Sequence, residues 1–153
     1  MIFLDVSFGI FAFMPQGWVF MAFVIILECI VMTRMLLPKW YNKRIYGVTT
    51  LTNVVSGVTG IIISMILNGG WYLVVWFPWV SSNEIDPSNR EALDGLVVFY
   101  LLAFVLTLII ETAINVLFLR KHYPTKKVIK ATVIANILSY AVGTVVLYSY
   151  SFR

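Results

Sequence analysis

The chain has little with which to do familiar chemistry. Cys29 is its only cysteine and His122 its only histidine. It can therefore form no intrachain disulfide, cannot supply two axial haem ligands and cannot build a His-rich zinc or di-iron centre. The sequence contains no Gly-rich phosphate loop and no nucleophile motif. Charged residues make up 12% of it, against ~25% in an average soluble domain. No cofactor, no metal site and no catalytic residue is expected.

What the chain has instead is apolar bulk. Its 153 residues are 61% hydrophobic and 16% aromatic, with a mean hydropathy of +0.93. Apolar runs cover residues 17–37, 46–68, 93–119 and 128–150, bounded by Pro38-Lys39, by Gly69-Gly70 and by Arg120-Lys121. Each is long enough to cross ~30 Å at 1.5 Å per residue. The expectation is an all-α integral membrane protein, a single transmembrane domain over residues 1–153, with four transmembrane helices and no room for a separate soluble catalytic domain.

The charges that do occur are sorted by sign. Arg34, Lys39, Lys43 and Arg44 surround the first connection, and Arg120, Lys121, Lys126, Lys127 and Lys130 the third, so nine of the eleven Lys and Arg residues lie on one side. The middle connection carries Glu84, Asp86, Glu91 and Asp94 against Arg90. By the positive-inside rule the basic loops face the cytoplasm and both termini face outward, N-out/C-out. The expected location is a bacterial inner (cytoplasmic) membrane. The net charge of +4 follows from topology and does not point to nucleic acid. The basic loops interleave Trp40, Tyr41, His122 and Tyr123 with their cations, a pattern that also suits anionic lipid headgroups or acidic partners.

Two apolar segments are too short to span. Residues 1–13 lack a basic start and meet Met14-Pro15-Gln16-Gly17, so they do not read as a signal peptide and are expected to lie in the outer interface. Residues 71–79, WYLVVWFPW, concentrate Trp71, Trp76 and Trp79 after the Gly69-Gly70 break. Aromatics at that density favour an interfacial or re-entrant piece.

The most pointed feature is a repeat. Glu28, Lys43, Asn53, Ser56 and Gly60 recur 83 positions later as Glu111, Lys126, Asn136, Ser139 and Gly143, without a gap. The chain therefore divides into repeat one at 17–68, an aromatic segment and acidic outer loop at 69–94, and repeat two at 95–150. Two hairpins of the same orientation form a parallel internal repeat, related by an approximate twofold axis along the membrane normal. Counting outward from each hairpin turn puts Glu28 level with Asn53 and Glu111 level with Asn136, about 14 Å from the cytoplasmic boundary and close to the membrane midplane. In each copy Asn, Ser and Gly fall at i, i+3 and i+7, on one helix face. The Asn and Ser can hydrogen-bond between helices while Gly60 and Gly143, with Gly57, permit close packing.

These positions predict a shared cluster of Glu28, Asn53, Ser56, Glu111, Asn136 and Ser139, extended by Asn115 one turn after Glu111. Burial disfavours the ionised carboxyl, so at least one Glu is expected to be protonated at neutral pH and to donate to an Asn carboxamide. The functional expectation is a small polytopic membrane protein acting as a non-enzymatic structural or accessory subunit of a larger assembly. A proton- or cation-coupled transporter or channel using Glu28 and Glu111 is the first alternative, and an intramembrane lipid enzyme the second. The expected partners are membrane lipids and other membrane subunits or further copies of the chain.

Overall fold

The computed structural model describes residues 15–67 and 90–151. Within them run four α-helices: α1 (Pro15–Leu36), α2 (Lys43–Leu67), α3 (Arg90–Leu119) and α4 (Thr125–Ser151). The helix ends follow from local chemistry. Pro15 opens α1 with a φ already suited to a first turn, and Pro38 closes it by disfavouring helix at the residue before. Asn42 caps α2, its Oδ1 accepting the N–H groups of Arg44 at 3.1 Å and Ile45 at 3.2 Å, two donors that lack partners inside the helix. α3 ends where Tyr123 N–H turns back to the Leu119 carbonyl at 3.0 Å. Pro124 then starts α4, its carbonyl accepting Lys127 N–H at 2.9 Å. The opening turns of α3 take in Glu91 and Asp94, which the charge pattern alone assigns to a loop; acidic residues favour a helix start.

The helices close into a ring in chain order, with principal contacts α1 to α2, α2 to α3, α3 to α4 and α4 back to α1. α1 and α3 are therefore diagonal across the interior. At the basic end the two hairpins are bolted together. The Lys127 ammonium, in the first turn of α4, donates to the Leu36 carbonyl at 3.2 Å, placing a cation at the negative end of α1. The Arg34 guanidinium lies 4.4 Å over the Trp40 ring, and Tyr46 donates to the Trp40 carbonyl at 3.1 Å. Beneath these loops lies the apolar core of Met32, Leu36, Ile45, Leu119, Val128, Ala131 and Ala135. Fully burying a Leu, Ile or Met there contributes ~1.5–3 kcal/mol each.

Beyond that core the interior turns polar. Thr49, Thr52, Asn53 and Ser56 on α2, Glu28 and Thr33 on α1, Thr107, Glu111 and Asn115 on α3, and Thr132, Asn136 and Ser139 on α4 are all buried. The large apolar side chains of the same helices are turned outward, among them Val19, Phe23 and Ile26 on α1, Leu51, Val54 and Val58 on α2, Val105 and Ile109 on α3, and Ile137 and Leu138 on α4.

The all-α, four-helix architecture agrees with the sequence expectation, but the membrane part of that expectation is overturned. Among the described residues, no helix is long and apolar enough to cross a membrane. The integral membrane class, the transmembrane helices, the N-out/C-out topology and the inner-membrane location are corrected on this finding. The physical reason is the distribution just described. Every helix carries buried hydroxyl, carboxamide or carboxyl groups on its inward face, Glu28 and Thr33 on α1 among them, and each of these lowers the mean hydropathy of its helix.

Candidate functional site: a closed hydrogen-bond ring

Glu28 and Glu111 project into the interior from diagonal helices, 3% and 1% exposed. Each is held by one Asn and one Ser. Asn53 Nδ2 donates to Glu28 Oε2 at 2.8 Å, and Asn136 Nδ2 to Glu111 Oε2 at 2.8 Å. Both are bonds within one hairpin. The serines cross over: Ser56 of the first hairpin lies 2.9 Å from Glu111 Oε1, and Ser139 of the second lies 2.6 Å from Glu28 Oε1. Each Ser hydroxyl also lies against the carbonyl of the Asn one turn before it, Ser56 to Asn53 at 3.1 Å and Ser139 to Asn136 at 3.0 Å. The links thus run from α1 to α2, to α3, to α4 and back to α1, in the order in which the helices touch.

Backbone carbonyls fix the direction of the amide bonds. Asn53 Nδ2 also meets the Thr49 carbonyl at 3.1 Å, and Asn136 Nδ2 the Thr132 carbonyl at 3.1 Å. A carbonyl only accepts, so the atom facing it is the NH2 group, which spends its second hydrogen on the carboxyl. The expectation that a protonated Glu donates to Asn is therefore corrected: Asn donates, and any acidic hydrogen belongs on an Oε1. The serines have the opposite property. Each has one hydrogen and two acceptors within reach, a carboxyl oxygen and a carbonyl.

Burial pushes both carboxyls above their ordinary value of 4.5. Desolvation is the main cause at each site. For Glu111 the next is the negative charge of Glu28, while for Glu28 the bonds from Ser139 and Asn53 work in the opposite direction. The two carboxyls are joined through the ring, Glu28 by way of Asn53 and Ser56 to Glu111 and Glu111 by way of Asn136 and Ser139 to Glu28.

A second polar layer sits nearer the basic end. Asn115 bridges α2 and α4, accepting from Thr52 Oγ1 at 3.2 Å and donating to Thr132 Oγ1 at 3.2 Å. Thr132 in turn donates to Met32 Sδ at 3.7 Å. Met32 occupies the position in repeat one that Asn115 holds in repeat two, so the layer is asymmetric where the Glu ring is symmetric. On the other side of the ring, Thr107 and Tyr140 share a hydrogen bond of 3.1 Å, and Phe104 meets Tyr140 edge-on at 4.9 Å. Among the described residues, Asn136 Oδ1, Thr33 Oγ1 and Thr49 Oγ1 are buried with no hydrogen-bond partner.

Cys29, beside Glu28, is buried and forms no disulfide. Its sulfur lies 3.7 Å from the Tyr46 carbonyl and 3.9 Å from Thr50 Oγ1. Burial raises its thiol to about 11, which keeps it protonated and unreactive at neutral pH.

Gly60 and Gly143 lie within α2 and α4, with surroundings outside the described side chains. The expected close approach at Gly57 is corrected, since among the described residues a Cβ there would meet Met21 Cε at 3.8 Å, an ordinary contact. Trp71, Trp76 and Trp79 and the segments at 1–13 and 71–79 lie outside the described residues. Sequence reasoning overlooked Thr49 and Thr52. The signal was present: Thr49, Thr52, Asn53 and Ser56 fall at i, i+3, i+4 and i+7, and Thr49 answers to Thr132 at the same offset of 83.

No protein-family model matches the chain, and no characterised protein or solved structure is similar to it above chance.

Proposed function

We propose that this protein is a non-enzymatic helical subunit of a larger protein assembly, with the Glu/Asn/Ser ring fixing the arrangement of its helices. One observation carries the reading: the polar groups face inward and are largely spent on one another, while large apolar side chains face outward from all four helices. Val19, Phe23 and Ile26 form one such stripe on α1, and Leu51, Val54, Val58 and Ile62 another on α2. Apolar surface of that extent is the usual mark of an interaction face. The ring supplies what such a subunit needs, because buried polar networks with their members paired specify one helix register over its neighbours.

Site-specific photo-crosslinking tests it. A photoreactive residue in place of Phe23 on α1 or Ile109 on α3, in cells expressing the full chain from its own locus, is expected to capture one or more unlike polypeptides in a fixed ratio to this chain. Crosslinks only to further copies of the same chain, or none at either position, would show that it works alone.

A further inference from the structure

We propose that the Glu28 and Glu111 carboxyls form a one-proton binding site, holding a single hydrogen across the bundle interior while the Ser56 and Ser139 hydroxyls turn to serve whichever oxygen needs a donor. The inference goes beyond the subunit reading and does not depend on it, since the site lies wholly within one chain.

The groups facing the pair can be enumerated from each helix. From α2 they are Asn53 and Ser56, and from α4 Asn136 and Ser139. From α1 and α3 they are the two carboxyls themselves, with the neutral Cys29 thiol next in sequence to Glu28. Tyr140, the titratable side chain beside Ser139, is bonded to Thr107. The basic residues of these helices whose side chains are described, Arg34, Lys43, Arg44, Lys126, Lys127 and Lys130, are exposed at the basic end, away from the bonds that hold the two carboxyls. Two carboxyls buried in one hydrogen-bonded ring, with no counter-ion among the described residues, are the arrangement in which one proton is retained.

The geometry also says where the hydrogen sits. The Asn amides occupy both Oε2 atoms as donors, which leaves the two Oε1 atoms. A hydroxyl donating to an ionised carboxylate comes to ~2.5–2.7 Å, and a neutral O–H···O contact lies near ~2.7–2.8 Å or beyond. Ser139 is 2.6 Å from Glu28, and Ser56 is 2.9 Å from Glu111. Glu28 is accordingly the ionised member and Glu111 carries the hydrogen. In that state Ser139 donates to Glu28, and Ser56 is free to donate to the Asn53 carbonyl. Because the ring is twofold in its connections, the state with the hydrogen on Glu28 is accommodated by the same bonds with the acceptors of the two serines exchanged. The proton is the ligand, and its loss would set two negative charges against each other at the point where all four helices meet.

Infrared difference spectroscopy on the full chain, with 13C-labelled glutamate and titrated from acidic to alkaline pH, reads the occupancy directly. The E28Q/E111Q double variant supplies the background from the remaining glutamates. At neutral pH the protein is expected to show one protonated-carboxyl band that the double variant lacks, and to lose it in a single step as the pH is raised. In E28Q the neighbouring charge is gone, so Glu111 should release its hydrogen at lower pH, by at least about tenfold in acid dissociation constant, equivalent to about one pKa unit. Two protonated bands at neutral pH, or none, would overturn the proposal. Should E28Q fail to fold by circular dichroism, the band count in the unsubstituted protein decides the matter alone. The measurement uses isolated protein, so the absence of a partner in the crosslinking experiment leaves its outcome unaffected.

Discussion

Ser139 reaches Glu28 at 2.6 Å across 111 residues of chain, and its counterpart Ser56 reaches Glu111 at 2.9 Å across 55. These are the bonds of the Glu ring that join one hairpin to the other. The Asn bonds, each spanning 25 residues, close a hairpin on itself. The ring therefore separates into two intra-hairpin locks and two inter-hairpin locks, and the consequences of removing them differ.

Removing Ser139 should cost more than removing Ser56. Ser139→Ala leaves a buried, ionised oxygen short of a donor, a loss of about 1.5–3 kcal/mol, while Ser56→Ala removes a neutral bond of about 0.5–1.5 kcal/mol. Equilibrium chemical denaturation of the two variants gives the comparison. Equal losses, or a larger loss at Ser56, would contradict the assignment of charge to Glu28.

The Asn115 bridge can be tested by making the repeats alike. Asn115→Met gives repeat two the side chain that repeat one carries at Met32 and strips Thr52 and Thr132 of a partner. The expected destabilisation is ~1–3 kcal/mol. A double-mutant cycle with Thr52→Val should show a coupling of at least ~0.5 kcal/mol; strictly additive losses would mean that the 3.2 Å contact between them carries no energy.

Stability should fall as the medium becomes alkaline. Both carboxyls are raised above 4.5 by burial, so between that value and the raised folded-state value the native state holds protons that the unfolded chain has released. Stability contributed this way is fully present below 4.5 and is lost as pH rises through the folded-state value. Unfolding free energies measured from acid to alkaline pH should slope downward over that window, and E28Q/E111Q should flatten the slope. An upward slope that the double variant does not alter would show the carboxyls to be ionised in the folded state.

At the connection between α1 and α2, Asn42→Ala removes the side-chain acceptor for two helix N–H groups. Loss of such a cap costs ~0.5–2 kcal/mol. Thermal unfolding followed by circular dichroism should register it as a lower midpoint, whereas Asn42→Asp should hold near the original value because the carboxylate accepts the same bonds. Equal midpoints for the Ala and Asp variants would remove the capping role.

Gly57 offers a gain rather than a loss. Among the described residues a methyl group there would meet Met21 Cε, 3.8 Å away, so Gly57→Ala has space, and Ala is better than Gly within a helix by ~0.5–1 kcal/mol. A raised unfolding midpoint is expected. A lowered one would mean that α1 and α2 approach more closely than this geometry requires.

The chain itself determined the number and limits of the helices and the identity of their inward faces. Pro38, Pro124 and Asn42 mark helix boundaries by chemistry that acts over one turn, and the spacing of Asn53 and Ser56, repeated at Asn136 and Ser139, sets a face by the 3.6-residue period alone. Even the Glu28–Asn53 and Glu111–Asn136 bonds follow from counting equal distances from a hairpin turn, because a hairpin is still nearly one-dimensional. The membrane expectation, by contrast, rested on overall composition and the length of apolar runs, and it was overturned because no described helix is long and apolar enough to cross a membrane.

Only the tertiary structure decided how the two hairpins meet. That Ser139 serves Glu28 and Ser56 serves Glu111, that Asn115 lies between Thr52 and Thr132, and that Lys127 closes the end of α1 are relations between residues 55 to 111 positions apart that no helical period encodes, apart from the shorter step to Thr132. The reason is physical: periodicity assigns a residue to a face, but which neighbouring helix that face meets is settled by packing all four at once. A repeat with twofold connections could pair each Ser with its own Glu or with the other, and the helix order chose the other.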